Sequence, residues 1–447
     1  MLRQWPVRLV LLALLAELFI PILVWKTPLP SAVDYLQEAI AALIMVLAVL
    51  YMLSRDRIPA VVLVIAAVTL IWGIVAVFEG QSLAATAWGW WKFFMYPFIG
   101  LFAYLTIRWP RGFANWWIKV LVGLMAFEVA VQIIQYLTGQ PLGDSLAGTF
   151  GNKGVGPHNM FNMLVISLAF GSWIATRRWK LLLVAIVLGM IASALNGTKF
   201  YIPSIVLLGI GTLGLQLISG GRLKQLFIFV VLFSVVAVAS VTVYNRFIAE
   251  PRGLPLIQEY LEPGRLEDYL FTDGKGDVDG RYNLGRMLSV TYGFDIISRD
   301  PTSFLFGMGL GARSNSAGLG IVGVGLENDL YGSNVTGTGL LVRIQEQGVV
   351  GLVLMLIFFF WLMWRLYLDT KAHGDPGLLS VEFGLILFTF YWPVWLWYHN
   401  PWAHGAMMII YWVSVGFVFS EMDRRKRRQR RLDARRQLAE ETAAAPL

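Results

Sequence analysis

The chain has no cysteine and little charge. Only 14% of its 447 residues are Asp, Glu, Lys or Arg, whereas 57% are hydrophobic, and the mean hydropathy is +0.64. Without cysteine the protein has no disulfide, no thiolate metal ligand and no cysteine nucleophile. Soluble chains carry about 25% charged residues, so this composition excludes an ordinary cytosolic enzyme and also a disordered protein. It is typical of a protein whose solvent is lipid.

Histidines and nucleotide-binding motifs are also scarce. The four histidines include no pair at the i, i+4 spacing of a helical metal site, and the Gly-Lys-Ser/Thr of a P-loop is absent. We therefore expect no metal and no cofactor. The net charge of +8 would indicate nucleic acid only if cations covered a soluble surface, but most of the chain consists of apolar runs that leave no such surface.

Twelve apolar runs are present, each close to the length of about 20 residues that a bilayer-crossing helix needs. They cover residues 7–25, 35–53, 58–78, 91–107, 117–137, 159–176, 181–196, 200–218, 225–244, 347–366, 378–398 and 405–421. The first run is too long and too poorly followed by small residues for a cleaved signal peptide. The fold class that we predict is an all-α polytopic membrane protein with about twelve spans.

The basic residues indicate the orientation of these spans. With the N-terminus in the cytoplasm, the inner segments carry 23 Lys and Arg residues, nine of them between Arg424 and Arg436. The short outer loops and their span edges hold only four, which are Lys26, Lys92, Lys153 and Lys199. Because cytoplasmic loops are enriched in Lys and Arg, we expect both termini in the cytoplasm. The basic tail, residues 422–447, is interpreted as an anchor that meets anionic headgroups of the lipid bilayer rather than nucleic acid.

One long hydrophilic connection divides the chain. Residues 1–244 are predicted to hold spans one to nine, 245–346 an exported loop, and 347–421 spans ten to twelve. Apolar residues recur at helical spacing between Arg286 and Ser298, which predicts a helix with Asn283 as its N-cap and Pro301 just beyond its end. Since long unstructured loops are uncommon unless functional or disordered, we interpret the loop as a lid or substrate-binding subdomain. The alternative is a surface decoration without chemistry.

Three cations of the outer side are candidate ligands for a diphosphate. Lys199 lies in a very short outer turn, Arg286 begins the predicted loop helix, and Arg281 precedes it by five residues. Arginine suits phosphate because its planar fork donates two parallel hydrogen bonds. For any one of these residues alone, an ordinary surface role is an equal alternative.

Other polar residues of the spans and outer turns have two readings each. Glu128, Gln132 and Gln135 share one face of the fifth span, where interhelical hydrogen bonding competes with a pathway role. Three of the four histidines are predicted on the outer side of the membrane, namely His158, His399 and His404. Histidine is suited to acid–base catalysis. The run Gly307, Gly309 and Gly311 is interpreted as either an anion-binding nest or a plain turn.

Several segments, in this order, resemble the O-antigen ligase and polymerase superfamily, also called the Wzy-type family. The stretch 148–159 resembles its Gly-x-Phe-x-Asn motif before a helix, and residues 196–199 stand where the family often has Ser-Arg. The loop from Gly285-Arg286 through Pro301 to Gly307 and Gly309 resembles its Gly-Arg, helix, Pro and Gly-x-Gly signature. Residues 345–351 resemble its Glu-x-Gly-hydrophobic-hydrophobic-Gly motif, so the resemblance covers about 145–360.

This resemblance implies a metal-independent glycosyltransferase with a GT-C-like fold in the bacterial inner membrane. Its donor would be an undecaprenyl-diphosphate-linked oligosaccharide on the periplasmic side, and its partners would include a flippase and a chain-length regulator. Carried over by position, Arg286 and Lys199 would bind the donor diphosphate, with Arg281, Gly307 and Gly309 as neighbouring candidates. Such binding favours departure of the lipid diphosphate, on which charge develops.

The sequence departs from the ligase pattern at one place. Ligases of this family typically carry a histidine some ten residues before the Glu-x-Gly motif, whereas here the chain reads Thr336-Gly337-Thr338. This difference favours a polymerase of O-antigen, capsule or exopolysaccharide, and it leaves the general base unassigned. The candidates for the base are Glu346, Glu327, Asp329 and His158. The alternatives are a ligase, a twelve-helix transporter and a scaffold of an envelope assembly, although no internal repeat of the kind common in transporters is visible.

Overall fold

The protein is an assembly of long helices with a mixed segment late in the chain. The computed structural model describes residues 4–54, 60–143, 145–151, 154–198, 200–218, 234–235, 238–239, 241–250, 253, 256, 258–259, 262–271, 273–275, 282–316, 319–327 and 338–444.

The first half of the described chain contains eight helices. They are α1 (Trp5–Lys26), α2 (Tyr35–Leu53), α3 (Ala60–Phe78), α4 (Leu83–Thr106), α5 (Phe113–Leu137), α6 (Val155–Thr176), α7 (Trp179–Asn196) and α8 (Tyr201–Ile218). Short 3-10 turns, Ser31–Asp34 and Gly148–Phe150, precede α2 and α6. A single π turn follows at Asn245–Ala249.

The late segment alternates short helices with two small hairpins, and long helices then resume. The short elements are α9 (Pro263–Phe271), β1 (Asp273–Lys275), β2 (Tyr282–Leu284), α10 (Arg286–Ile297), α11 (Pro301–Phe306), β3 (Asn315–Ser316), β4 (Ile321–Val322) and α12 (Val324–Glu327). The long helices are α13 (Gly339–Thr370), α14 (Pro376–Phe390), α15 (Trp392–Tyr398) and α16 (Gly405–Ala444), with a 3-10 turn at Pro401–Ala403. Both hairpins are antiparallel, β1 with β2 and β3 with β4.

The helices confirm a multi-pass membrane protein. Among the described residues eight helices are long and apolar enough to cross a bilayer, namely α1, α2, α5, α6, α7, α8, α13 and α16. The pair α14–α15 makes a ninth if its 50° bend lies within one span. Helices α3 and α4 occupy the positions of the third and fourth predicted spans. Most of the ninth, 225–244, lies outside the described residues.

The core of the bundle is built on α6, which is buried along nearly all its length. Helix α14 packs tightly against it, because a Cβ on Gly384 would lie 2.5 Å from Leu168 Cα. In a membrane, where lipid is as apolar as leucine, such close backbone approach is a main source of helix–helix attraction. Helix α16 packs against α4 in the same manner, with Gly416 against Gly100.

The late segment differs from its prediction in two local features. Helix α10 spans Arg286–Ile297 as expected, but its N-cap is Gly285, because Asn283 pairs with Gly274 in the β1–β2 hairpin. The prediction of an Asn283 cap was therefore wrong. Pro301 does lie beyond the end of α10, where it begins α11, and Asp300 caps that helix by accepting a hydrogen bond from Ser303 N at 2.7 Å.

Helix α13 begins at Gly339 rather than near residue 347, so the end of the predicted loop is helical. Thr338 caps this helix by accepting a hydrogen bond from Leu341 N at 3.2 Å. The helix kinks at Gly348, whose φ of 60° and ψ of −165° are open to glycine at little cost. A Cβ there would lie 2.5 Å from Gly307 N, so the glycine run after α11 packs directly into the kink.

The bundle has two distinct ends. We call the end with α10, α11 and the turn 398–404 the loop end, and the end from which residues 424–436 extend the tail end. Helix α13 joins them, and its segment from Gly348 to Thr370 spans about 33 Å at 1.5 Å per residue. Each end contains a cluster of buried polar side chains.

Candidate functional site

Four segments of the chain meet at the loop end. The N-terminus of α13 contacts the turn after α15, where Gly339 N donates a hydrogen bond to His399 O at 2.8 Å. The first turn of α6 packs on the same turn, because a Cβ on Gly156 would lie 3.2 Å from His399 Nδ1 and 3.7 Å from His404 Cε1. The N-terminus of α10 completes the group through Arg286.

Arg286 is held against an aromatic ring and retains its hydrogen-bond donors. Its guanidinium carbon lies 4.8 Å from the ring centroid of Tyr398, which stacks on Phe200 at 3.6 Å. A cation–π contact positions the charge without using the N–H groups. Within the described part of the chain Arg286 makes no ion pair and no hydrogen bond, and its side chain is partly exposed. Its planar fork therefore remains able to bind an anion.

Two histidines lie beside Arg286. The rings of His399 and His404 are 5.6 Å apart, and the His399 ring also contacts Tyr398 at 4.6 Å. His404 is only 7% exposed, and among the described residues neither of its ring nitrogens has a hydrogen-bond partner. The buried Nε2 of His399 also lacks one there.

Both histidines are neutral near pH 7. Burial lowers the pKa of His404 to about 4. Burial, then the neighbouring His404 and the charge of Arg286, hold the pKa of His399 well below its usual value. A neutral imidazole has a lone pair that accepts a proton, as acid–base chemistry requires.

His158, a sequence candidate for the base, lies inside the bundle rather than at this surface. It is fully buried, with Gln132 Nε2 3.3 Å and Asn196 Nδ2 3.4 Å from its Nδ1. Asn162 Nδ2 lies 3.4 Å from its Nε2. The ring therefore connects α5, α6 and α7 through side-chain amides.

The polar face of α5 also serves internal contacts. Glu128 accepts hydrogen bonds from Thr149 N at 2.8 Å and Thr149 Oγ1 at 2.6 Å. Gln135 Nε2 donates to Gly148 O at 2.7 Å, and its Oε1 accepts from Gly148 N at 3.1 Å. These contacts match the interhelical reading rather than a pathway, and they fix the segment that precedes α6.

Glu346, the first sequence candidate for the base, is engaged by its own chain. Its Oε2 lies 3.0 Å from Arg343 Nη1. Its Oε1 accepts hydrogen bonds from the backbone N of Gly311 at 3.2 Å and of Arg313 at 3.4 Å. The carboxylate thus occupies the concave backbone of the glycine turn that the sequence offered as an anion nest.

Gly307 and Gly309 are positioned by packing. A Cβ on Gly307 would lie 2.5 Å from Gln347 N, and one on Gly309 would lie 2.5 Å from Ala76 Cα. Two side chains also donate hydrogen bonds to the backbone of this turn. Trp72 Nε1 donates to Phe306 O at 2.9 Å, and Gln81 Nε2 donates to Leu310 O at 2.7 Å. In this structure both glycines contact protein backbone.

Arg343 is a buried cation of the loop end that was not among the predicted site residues. Its guanidinium carbon lies 4.8 Å from the Trp402 ring and 4.9 Å from the Phe93 ring. Only 5% of its side chain is exposed. Its spacing of i, i+3 from Glu346 was the available signal, because such residues are neighbours on a helix.

Buried polar atoms without a partner gather at the loop end. Among the described residues they include Arg343 Nε, both polar atoms of Gln345, Asn400 Oδ1, Asn159 Nδ2, Asn162 Oδ1 and the histidine nitrogens named above. Each such group costs about 1–3 kcal/mol. A concentration of them indicates a place where a polar ligand completes the hydrogen bonding.

Several predicted residues cannot be placed. Lys199, Arg281 and Asp329 lie outside the described residues. Glu327 ends α12, but the structure describes nothing of its side chain. Of the predicted site residues, Arg286 is the one that the structure brings next to the histidine pair.

The tail end contains a second buried cluster, of charged groups. His373 Nε2 lies 3.1 Å from Glu382 Oε2 and 3.5 Å from Asp369 Oδ2, and Arg425 pairs with Asp369. Burial lowers the pKa of His373, but the hydrogen bonds that His373 donates to Asp369 and Glu382 outweigh this effect and raise that pKa to about 9. Within the described ranges, Asp369, His373 and Glu382 are the one group whose geometry could hold a metal ion. The paired Arg425 already supplies positive charge there.

In comparisons with known proteins, no family model matches the chain and no curated protein matches it.

Proposed function

We propose that the protein is a polysaccharide polymerase of O-antigen, capsule or exopolysaccharide. It would transfer glycan from an undecaprenyl-diphosphate-linked donor to a lipid-linked acceptor, without a metal. In this proposal the chain has twelve spans in a GT-C-like arrangement in the bacterial inner membrane. The loop end faces the periplasm and both termini face the cytoplasm.

The observation that carries the proposal is the state of Arg286. Its guanidinium is fixed on Tyr398 and, among the described residues, has no carboxylate partner. A positioned arginine with unused donors is suited to a diphosphate. The motif resemblance independently assigns the same residue to the donor.

The chemistry follows from the position of that charge. Glycosyl transfer breaks the bond between the anomeric carbon and the diphosphate oxygen, so negative charge develops on the departing lipid diphosphate. A preorganised cation stabilises this charge most strongly where water is excluded. In this proposal the sugar attached to that diphosphate would bind the buried polar atoms of the loop end that lack a partner among the described residues.

The position of Thr338 supports a polymerase over a ligase. Thr338 ends the stretch Thr336-Gly337-Thr338, which stands where ligases of the resembled family carry a histidine, and the hydroxyl of Thr338 caps α13. The transporter alternative draws on the α14–α15 pair, which is bent by 50°, because transporters place discontinuous helices at their binding sites. The bend is the observation that favours a transporter. The position of Arg286 on Tyr398 favours the polymerase.

The test is the chain length of surface polysaccharide in a deletion strain that carries the plasmid-encoded protein. Arg286→Ala should abolish long chains, a loss of at least about 100-fold as for other charge-stabilising groups, and leave single repeat units. Arg299→Ala is the matched control, since Arg299 is an exposed arginine that follows the same helix and pairs with Asp295.

The other outcomes separate the alternatives. Full chain length with Arg286→Ala, at normal protein level, would contradict the diphosphate role. Loss of all surface glycan on deletion, single units included, would indicate a ligase. Movement of a solute with no change in any glycan's length would indicate a transporter.

A further inference from the structure

We propose that His399 is the general base that activates the acceptor hydroxyl in glycan transfer. This inference rests on the proposed function and assigns the role for which the sequence offered only Glu346, Glu327, Asp329 and His158. The structure places His399 beside the cation that would bind the departing diphosphate, on a turn that the resembled motifs do not include.

Position is the first argument. The His399 ring lies against Tyr398 at 4.6 Å, and Tyr398 is the ring that supports Arg286 at 4.8 Å. A base in a displacement must reach the attacking hydroxyl, which approaches the anomeric carbon from the side opposite the departing diphosphate. The base and the diphosphate site are therefore neighbours across the reacting carbon, at roughly the 6.5–9.5 Å that separates the two catalytic groups of inverting glycosidases. Glu346 instead binds Gly311, Arg313 and Arg343.

An unused ring nitrogen is the second argument. The Nε2 of His399 is buried and has no hydrogen-bond partner among the described residues, although the residue as a whole is partly exposed. His158, in contrast, is fully buried and has side-chain amides of α5, α6 and α7 around its ring nitrogens. The backbone of α6 packs against the His399 ring at Gly156, where a Cβ would lie 3.2 Å from Nδ1.

The step balances as a single displacement. The acceptor hydroxyl oxygen forms a bond to the anomeric carbon while the bond from that carbon to the diphosphate oxygen breaks. The electron pair of the broken bond stays on the lipid diphosphate beside Arg286. The hydroxyl proton moves to Nε2 of His399 and is later released to water.

The charges around His399 link the base to the donor. Among the described residues the titratable groups that act on it or contact it are Arg286 from α10 and His404 and Tyr398 from its own turn. Gly156 of α6 lies against its ring. The charge of Arg286 helps to hold the pKa of His399 low. A bound diphosphate would offset that charge, so His399 would become a stronger base when the donor is in place.

The experiment uses the full-length protein in nanodiscs with two readouts. Transfer is measured with the lipid-diphosphate-linked repeat unit extracted from the deletion strain, and binding is measured with undecaprenyl diphosphate. His399→Gln should slow transfer by about 100-fold or more, the usual contribution of a general base, while binding stays within about twofold of wild type. The wild-type rate should fall as pH is lowered through the pKa of the donor complex, and His399→Gln should lack this acid limb.

His373→Gln is the matched control, since this histidine lies at the tail end and should leave transfer unchanged. A wild-type rate in His399→Gln would overturn the base while leaving the polymerase in place. The assignment of His399 as the base would also be overturned if the variant lost diphosphate binding as much as it lost transfer rate. The same holds if the transfer rate of the variant still fell at low pH. Absence of any transfer by the wild-type protein would overturn both proposals.

Discussion

The loop end and the tail end both bury ionisable side chains, but only the tail end pairs them fully. At the tail end Asp369, His373, Glu382 and Arg425 contact one another, and none has a buried polar atom without a partner in the described part of the chain. At the loop end Arg343, Gln345, His399 and His404 all retain such atoms. The two clusters lie at opposite ends of α13.

This difference indicates which cluster stabilises the fold and which one binds a ligand. A buried charge is costly unless it is paired, so a closed network such as the tail end is complete without any ligand. An incomplete set of buried donors and acceptors keeps its cost until a ligand arrives. We therefore expect tail-end substitutions to lower stability and loop-end substitutions to lower activity.

The largest effect on stability should come from breaking the tail-end network. Glu382→Leu removes a fully buried carboxylate that contacts His373, so that the histidine keeps Asp369 as its carboxylate partner. Loss of this hydrogen bond to a charged group should cost about 1.5–3 kcal/mol. The measurement is the free energy of unfolding in detergent or nanodiscs. The matched control is Asp295→Ala, an exposed ion-pair residue of α10, with an expected change within about 0.5 kcal/mol.

A second variant sharpens this test. Replacing both His373 and Glu382 by leucine removes the charged pair together, so the double variant should be more stable than Glu382→Leu alone. A double variant that is less stable than the single one would contradict the view that the cost comes from a histidine charge that has lost one of its two carboxylate partners. Folded protein of either variant should retain its transfer rate.

The next effect tests Glu346, a buried carboxylate of the loop end that forms an ion pair with Arg343. Glu346→Gln loses the ion pair with Arg343 but keeps an oxygen for the backbone N–H groups of Gly311 and Arg313. We expect a loss of about 1–3 kcal/mol in unfolding free energy and a transfer rate within about tenfold of wild type. A rate loss of several hundredfold in folded protein would make Glu346 the base and refute His399.

The sequence predicted the spans because their signal is local. Within the described residues most of the apolar runs coincide with one helix each, and even the shortest, 181–196, forms α7 at Trp179–Asn196. The stripe after Arg286 predicted α10 for the same reason. The kink at Gly348 could not be predicted, because it depends on contact with Gly307, some forty residues earlier in the chain.

The site was only partly predictable for a related reason. Residue type identified Arg286 as a phosphate ligand, but its support on Tyr398 joins positions more than a hundred residues apart. The same long-range packing brings His399 next to Arg286 and buries His158. The Arg343–Glu346 pair, in contrast, lies close enough in the chain to be read from helical spacing.

The smallest effect is the pH dependence of stability, which should have opposite signs at the two ends. The pKa of His373 is raised from 6.5 to about 9 on folding, so its stabilisation is complete below pH 6.5 and is lost as pH rises towards 9. The pKa of His404 is lowered from 6.5 to about 4, so its contribution to stability is present above pH 6.5 and is lost as pH falls towards 4.

Each of these two pH-dependent losses of stability, the alkaline limb and the acid limb, should lower the Tm by on the order of 2–4 °C. His373→Gln should remove the alkaline limb and leave the acid limb, as measured by thermal unfolding between pH 4 and 9. His404→Gln should reduce the acid limb, to which His399 also contributes, and leave the alkaline limb. If His373→Gln left the alkaline limb intact, the tail-end network would not be held by a charged histidine.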